Sequence, residues 1–398
     1  MSKIVSIKEL LSGVEVEWKA LGAVANVTIG EFIHKNRQNP SASYPVYNGG
    51  RKPTGYYDEY NNTGKKVIVS ARGANAGFVN KIYEPYWAGN SSYSVSIKDE
   101  TLLNWEFVFY YLKSNETKLI GSQQGGGGIP AISKKQMQSF QIPIPPLKIQ
   151  SKIVQILDNF TELTAELTAE LTAELRARKK QYSYYRDKLL SFDMGEVNYL
   201  PMGDKKIGEF VRGGGLQKKD FTETGVGCIH YGQIFTYYGT FANKTKTFVS
   251  EKFFKKARKA QTGNLVIATT SENDDDVCKA VAWLGKDEIA VSSDACIYKH
   301  NLNPKYVSYF FQTKYFDEQK RRYITGTKVR RVNADNLAKI LIPVPSEQKQ
   351  QEIVTILDKF DTLTNSISEG LPKEIKLRQQ QYEYYRDLLL TFPKEDKA

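Results

Sequence analysis

The 398 residues are too many for one ordinary core and suit two or three domains; 40% apolar and 25% charged residues exclude a disordered or fibrous chain. With 56 Lys and Arg against 44 Asp and Glu, the formal charge of +12 favours a polyanionic partner through counterion release, nucleic acid first. Cys228, Cys278 and Cys296 lack CxxC spacing, which argues against a zinc ribbon or disulfide framework, and no run is long and apolar enough for a membrane span. MSKIVSIKELLSG has no long apolar stretch, so a cytoplasmic protein with free or buried thiols is expected.

In chain order, residues 1–13 read as a helix remnant, since IKELLSG resembles the RDKLLSF that ends at Phe192. Residues 14–147 are predicted to form a mixed α/β domain, with β-rich runs KKVIVSARG and SYSVSIK and one clear helix, LNWEFVFYYLKSN. Residues 148–192 form a helical arm in which Ile149, Ile153, Ile156, Phe160 and Leu163 step by four and three, the seam of a coiled coil. Three TAEL repeats then set Leu163, Leu167, Leu171 and Leu175 four apart, a stutter that locally unwinds a left-handed supercoil. The heptad step returns at Tyr182, Tyr185, Leu189 and Phe192. Residues 196–346 are a second α/β domain, with strands in GNLVIATTS and EIAVSSDACIYKH and a helix in PKYVSYFFQTKYFDEQKRR. Residues 347–392 form a second arm with a seam of Ile353, Ile356, Phe360, Leu363, Ile367, Leu371, Ile375, Tyr382, Tyr385, Leu389 and Phe392. Gly370 and Pro372 are expected to break or kink it, and 393–398 are a tail.

The chain is a tandem duplication. IPIPPLKIQSKIVQILDNF at 142–160 returns as IPVPSEQKQQEIVTILDKF at 342–360, and QYSYYRDKLLSF returns as QYEYYRDLLLTF, both at an offset of 200 residues. More faintly, the offset pairs Ile97 with Ile297 and the run Phe109, Tyr110, Tyr111 with Tyr309, Phe310, Phe311. The arms agree closely while the globular parts barely resemble one another, so one scaffold carries two different surfaces. Neither apolar stripe can stay in water, and the simplest arrangement packs the arms antiparallel. In the repeated YYRD both tyrosines cannot face one seam, which makes Tyr184, Arg186, Tyr384 and Arg386 candidates for binding a partner protein.

Catalytic motifs are lacking. There is no GxxxxGK[ST] loop for ATP, no Asn/Asp-Pro-Pro-aromatic loop with a Gly-rich cofactor strand for amino-methyl transfer, and the GGGG at 125–128 does not follow a strand and open a helix. The acidic run Glu272, Asp274, Asp275, Asp276, with Glu318 and Lys320, offers a Mg²⁺ nuclease as an alternative to a solvated turn. His34, His230 and His300 have no metal spacing. What remains is a set of basic and polar loops: Arg51 and Lys52 after NGG, Arg72 after a strand, Gln123 and Gln124 before the glycines, Lys218 and Lys219 after GGG. TGTKVRRVN sets Lys328, Arg330 and Arg331 where the first domain has GGGGIPAIS. Arg and Gln read guanine and adenine edges and Lys holds phosphate, so this set is the candidate DNA-binding surface.

Two variable domains, two near-identical arms, the TAEL tract and the segments LDNFTELTAEL, LDKFDTLTNSISEGLPKEI and QYEYYRDLLL together resemble the specificity subunits of type I restriction-modification systems, over essentially the whole chain. The resemblance implies a non-catalytic subunit whose domains each recognise half of a split double-stranded DNA target. It implies arms in an antiparallel coiled coil that dock two adenine methyltransferase subunits, with restriction and translocase subunits joining them. S-adenosylmethionine, ATP and Mg²⁺ would then belong to partner subunits and none to this chain, and Leu163, Leu167, Leu171 and Leu175 would lie in a spacer that sets the distance between half-sites. A Mg²⁺-dependent endonuclease and a stand-alone DNA-binding scaffold are the competing readings.

Overall fold

The computed structural model describes residues 13, 15–120, 129–193, 195–366 and 369–392. Outside them lie the remnant expected over 1–13 apart from Gly13, Gln123, Gln124, the glycines 125–128, Ile367 and the 393–398 tail. Contacts divide the chain into two compact units. One runs to Glu170 and takes up the chain again from Lys376; the other is Leu171–Ile375. Each unit therefore combines one α/β domain with a piece of both arms.

The two domains share one strand topology. In the first, a four-stranded antiparallel sheet has the order Ala25–Ile29, Ser92–Ile97, Lys66–Ser70, Val79–Ile82, and a three-stranded sheet the order Gly55–Tyr57, Tyr44–Tyr47, Trp87–Ala88. In the second, the order Gly208–Arg212, Ala295–His300, Leu265–Ala268, Ala280–Trp283 repeats the former, and Thr247–Val249, Val226–Ile229, Ile289–Val291 repeat the latter. The parallel pair falls at the same place in both, Tyr44–Tyr47 with Trp87–Ala88 and Val226–Ile229 with Ile289–Val291. The second domain adds strands at the edges of both sheets.

The register fixes which residues correspond. Val27, Val95, Val67 and Lys81 form one cross-sheet row; Phe210, Tyr298, Leu265 and Ala282 form its counterpart. Counting along the paired strands, Ile97 corresponds to His300 and not to Ile297, because loops of unequal length shift the offset inside the domains. Both His300 ring nitrogens lack a hydrogen-bond partner, and burial pushes its pKa down to about 4, so the ring is neutral. The aromatic run is likewise displaced by one: Tyr110 and Tyr309, not Phe109 and Tyr309, take equivalent roles, as described below.

The helix expected in PKYVSYFFQTKYFDEQKRR is two, Pro304–Phe310 and Lys314–Arg321, and the first of them, like Trp105–Ser114 in the first domain, is capped by an asparagine. Asn104 accepts from the Glu106 and Phe107 amides, and Asn303 from those of Lys305 and Tyr306, satisfying N–H groups that have no partner inside the helix. Trp105–Ser114 packs Phe107, Val108 and Tyr111 on Val67, Val69 and Val95; Pro304–Phe310 packs Tyr306, Val307 and Phe310 on Leu265, Ile267 and Ala280. Each domain is closed by a ladder between its first strand and its last: Glu17–Ala20 with Gln141–Ile144, and Asn198–Pro201 with Leu341–Val344.

The first arm is one α-helix, Leu147–Leu189, about 65 Å long at 1.5 Å per residue. The second is two helices, Glu347–Asn365 and Leu371–Leu389. Gly370 stands at the break, where a Cβ would lie 2.3 Å from the Thr362 carbonyl oxygen, and Pro372 falls in the first turn of the next helix, where its missing N–H costs nothing. The arms pair antiparallel within each unit. In the first, Thr161 and Tyr382 hydroxyls meet at 3.0 Å and Phe160 packs on Tyr385 at 5.8 Å. In the second, Phe360 stacks on Tyr182 at 6.2 Å and Tyr185 at 5.6 Å.

The predicted seams need correction. Of the predicted seam Ile153, Tyr182, Ile353, Leu371, Leu389 and Phe392 are buried, but so are Gln150, Val154, Leu157, Gln350, Val354 and Leu357, which the seam did not include and which pack on the globular domains. Ile356 is 41% exposed and Leu163 52%. A stride of four residues turns about 40° beyond a full circle per step, so from Leu163 to Leu175 the ladder swings by about 120° and cannot present all its rungs to one partner. Leu167, Leu171 and Leu175 are half-buried.

A turn in the sheets supplies a direct test of the equivalence. The Gly77 amide donates to the Ser70 carbonyl with φ +82°, and the Cys278 amide to that of Ala268 with φ +71°, so a glycine and a cysteine occupy one left-handed turn. At Gly77 a Cβ would sit 2.8 Å from both the Glu116 carbonyl oxygen and Ile120 Cγ1. Gly77→Ala is expected to cost about 2–3 kcal/mol in urea unfolding, from the left-handed penalty plus the clash. Cys278→Gly relieves strain while losing a buried thiol, and is expected to change stability by less than about 1 kcal/mol; an equal cost at both positions would refute the equivalence.

Candidate nucleic-acid interface

In both domains the loops gather at one edge, where the inner strand of the larger sheet ends at Ser70 or Ala268. In the first, the Ala71 amide bonds Ser91, Ile132 bonds Ala71, Gly73 bonds Pro130, and the Ser70 hydroxyl reaches the Gly50 carbonyl. Arg51, Lys52 and Arg72 are brought together here, all exposed, with the Arg51 guanidinium 5.5 Å from the centre of the Phe78 ring. In the second, Gly213 bonds Ala295, Gly214 bonds Val291, Thr269 bonds Asp294 and Val332 bonds Thr269. This gathers Lys218, Lys219 and Arg331 with Lys328 on the same chain segment.

The expected replacement of GGGGIPAIS by TGTKVRRVN appears in the backbone pairing. Arg72 bridges Ala131 in the first domain, and Thr270 pairs with Arg331 at the corresponding place in the second. Arg330–Arg331 is thus a two-residue strand against Thr270–Ser271 and not the free loop expected, because Val332 and Thr325 hold it on both sides. The two arginines differ. Arg330 is half-buried, ion-paired with Asp274 at 2.8 Å and bonded to the Gly326 carbonyl; Arg331 is exposed. Arg331 lines a cleft of about 260 Å³ with Arg212, Thr270, Asp294 and Asn333. Among the described residues, Arg51, Lys52, Arg72, Lys218, Lys219, Lys328 and Arg331 form no ion pair.

Sequence reasoning missed one loop. Glycines 30 and 213 both leave the edge strand, Ile33 and Leu216 both plug the smaller sheet, and a 3-10 turn follows in each, Lys35–Arg37 and Lys218–Asp220. Lys35 is therefore the counterpart of Lys218, and Phe32, 61% exposed with His34 edge-on at 4.7 Å, stands where the second domain has Gly215. A matching glycine exit before a buried aliphatic residue was the available signal. In the second domain, burial and Lys218 lower the pKa of His230, whose Nδ1 accepts from the Gly232 amide.

The acidic run is engaged elsewhere. Asp274 pairs with Arg330, Asp275 with Arg321 at 2.6 Å, and Asp276 accepts from the Asn273 side chain. Lys320 is 3% exposed and donates to the Asp275 and Val277 carbonyls and to Asp317, which makes it a buried brace for this turn. Among the described residues no group of three His, Cys, Asp or Glu side chains is placed to hold a metal ion. Burial pushes Cys278 and Cys296 up to about 12 and raises Cys228, which removes thiolate character.

The YYRD motifs divide by role. Tyr184 and Tyr384 are 60% and 65% exposed. Arg186 pairs with Asp187 at 3.3 Å and lies over Tyr182; Arg386 pairs with Asp387 at 2.8 Å and lies over Tyr382. Both arginine side chains are largely covered, so of the four candidates the tyrosines are the exposed ones.

The sequence profile described as type I restriction modification DNA specificity domain matches residues 13–177 and again 201–377. The EcoR124I/EcoR124II specificity subunit of Escherichia coli is 34% identical, with 100% of this chain and 99% of that protein covered. A putative type I restriction enzyme specificity subunit of Haemophilus influenzae is also 34% identical, covering 97% and 98%. Among solved structures, a chain from a study of complex assembly and conformational transition of the type I R-M system aligns with a TM-score of 0.68 at 13% identity, over 96% of this chain and 98% of that one. The HsdS subunit from Thermoanaerobacter tengcongensis aligns with a TM-score of 0.53 at 13% identity, over 94% and 95%.

The split between the two arginines is measurable. Arg331→Ala is expected to reduce DNA affinity more than Arg330→Ala at equal salt, and to lower the slope of log affinity against log salt by about 0.9 if it holds one phosphate. If it reads a base, discrimination at one position falls by about 1–3 kcal/mol instead. Titrations by fluorescence anisotropy at several salt concentrations check this; a larger loss from Arg330→Ala on a protein of unchanged stability would reverse the assignment.

Proposed function

The chain belongs to the type I restriction-modification DNA specificity family and is a specificity subunit, and from that premise we propose that each α/β domain reads one half of a bipartite double-stranded DNA target. The observation that carries this reading is one topology used twice, with exposed cations that form no ion pair on the loops at the same edge of both domains, Arg51, Lys52 and Arg72 in the first and Lys218, Lys219 and Arg331 in the second. Such an edge suits the recognition of two different half-sites by two readers of common build. Subunits of this kind work with modification and restriction subunits. In this chain the exposed Tyr184 and Tyr384 are proposed to contact two methyltransferase subunits. S-adenosylmethionine, ATP and Mg²⁺ are assigned to those partners, as is the methylated adenine chemistry. No helix among the described residues is long and apolar enough to cross a membrane.

The test is assembly. Purified alone, the chain is expected to bind DNA without methylating or cutting it, and to direct adenine methylation once the methyltransferase subunit is added. Exchanging residues 196–346 for the same domain of another specificity subunit is expected to change one half of the methylated sequence and leave the other. Methyl transfer by the single chain, or a change in both halves, would defeat the reading.

The TAEL tract is proposed to measure the spacer. Deleting Thr172–Leu175 removes four helical residues, about 6 Å of rise and about 40° of net rotation. B-DNA rises about 3.4 Å and turns about 34–36° per base pair, so rotation matches one base pair where translation alone suggests nearly two. A reader carried around the groove loses its contacts altogether, so rotation decides. Methylation of targets differing only in spacer length is expected to shift by one base pair with both half-sites kept; an unchanged optimum would make the tract a passive helix.

A further inference from the structure

Each domain stands on its arm through buried polar contacts of one pattern. The amide of the helix-capping asparagine donates to a glutamine side chain on the arm, Asn104 to Gln150 Oε1 and Asn303 to Gln350 Oε1, both at 2.8 Å. Each glutamine returns its own amide to a carbonyl at the end of the closing strand, Pro145 at 2.7 Å and Pro345 at 2.9 Å. Gln150 is fully buried and Gln350 is 4% exposed. Two turns along the arm, Tyr110 donates to Asp158 at 2.6 Å and Tyr309 to Asp358 at 2.7 Å.

A lysine faces each aspartate, and it arrives from different places. Lys81 reaches Asp158, at 3.7 Å, from a strand; Lys305 reaches Asp358, at 2.7 Å, from the domain helix. At the strand position the second domain has Ala282, and at the helix position the first has Glu106. Two surroundings that share little sequence have thus converged on the same charge at the same carboxylate, which packing alone does not require. Apolar contacts are non-directional and tolerate small slides and tilts. A buried glutamine and a buried tyrosine hydroxyl do not, because a shifted domain leaves them unpaired.

The lever is long. The strand Ser92–Ile97 begins at the loop edge, and its far end leads to the helix capped at Asn104; Ala295–His300 and Asn303 repeat this. Six strand residues span about 20 Å, so a tilt of about 10° at the arm moves the loop edge by about 3 Å, close to the rise of one base pair. Resting on the function proposed above, we infer that Gln150, Tyr110 and Asp158, and Gln350, Tyr309 and Asp358, are positioning residues that hold each reading edge in register with its helix, and thereby make the subunit selective for a single spacer length. They touch no base.

The experiment uses the subunit assembled with its methyltransferase. It compares methylation of targets that keep both half-sites and carry the preferred spacer, one base pair fewer or one more. Tyr309→Phe is expected to keep activity on the preferred spacer within threefold and to raise relative methylation of the two neighbouring spacers at least tenfold, with half-site sequence unchanged. Tyr298→Phe removes a buried hydroxyl bonded to the Met202 carbonyl inside the same domain and not to the arm, and is the control for stability alone. It is expected to lower the melting temperature and leave the spacer profile as in wild type. Tyr110→Phe and Gln350→Leu repeat the test should Tyr309→Phe not assemble. If these variants lose stability with the spacer profile untouched, as Tyr298→Phe does, the inference is wrong. A wild-type complex that methylates no bipartite target would instead overturn the proposed function.

Discussion

The pairing of each domain's entry strand with its exit strand puts both ends of the segment Glu17–Ile144, and of the segment Asn198–Val344, side by side at the foot of a helix. Four residues on each side suffice. The register is the same in both copies, with Trp18 opposite Pro143 and Tyr199 opposite Pro343, and the prolines are tolerated because a two-stranded ladder has an open side that needs no N–H. Once the ends are tied, what lies between is free to change in length, since added loop residues cost little closure entropy. The sheet register drifts against the arm offset for this reason, and the strand order does not.

The arms and the duplication were legible because their pattern is periodic and repeated. The seam was misread where polarity and burial part company: Gln150 and Gln350 occupy core positions that a search for apolar residues passes over, while Ile356 and Leu163 satisfy the search and lie exposed. The equivalence of Lys81 with Lys305 could not be read from sequence at all, because one sits on a strand and the other on a helix and only the fold brings each to its aspartate. Phe32 and Lys35 were passed over because their counterpart segment shares with theirs only a glycine, a buried aliphatic side chain and one lysine. Among the basic residues, type and loop position identified a common edge, but separating Arg331 from Arg330 required knowing that Asp274 lies beside the latter.

Charge is distributed by role. At the feet of the domains, lysines face carboxylates across part-buried gaps, where removing one partner would strand the other. At the loop edges Arg51, Lys52, Arg72, Lys218, Lys219 and Arg331 are exposed and form no ion pair, which costs little in water and suits the phosphate contacts proposed for them. Asp274 and Asp275 do not cancel that edge, because Arg330 and Arg321 already occupy them. The division lets the edge change residue by residue without disturbing the fold that carries it.

The arms answer a length change differently. In Leu147–Leu189 every residue added or removed brings rise and rotation together, because the hydrogen-bond ladder is continuous. In the second arm the α-helix stops at Asn365 and restarts at Leu371, so over that stretch length is not tied to helical rotation. Gly370 passes so close to Thr362 and Leu363 that no side chain fits there, which makes the break a built feature and not frayed helix. Rise and rotation are thus tied along the first arm and not across the break in the second, so the spacer role proposed for the TAEL tract falls on the one arm whose helix is continuous.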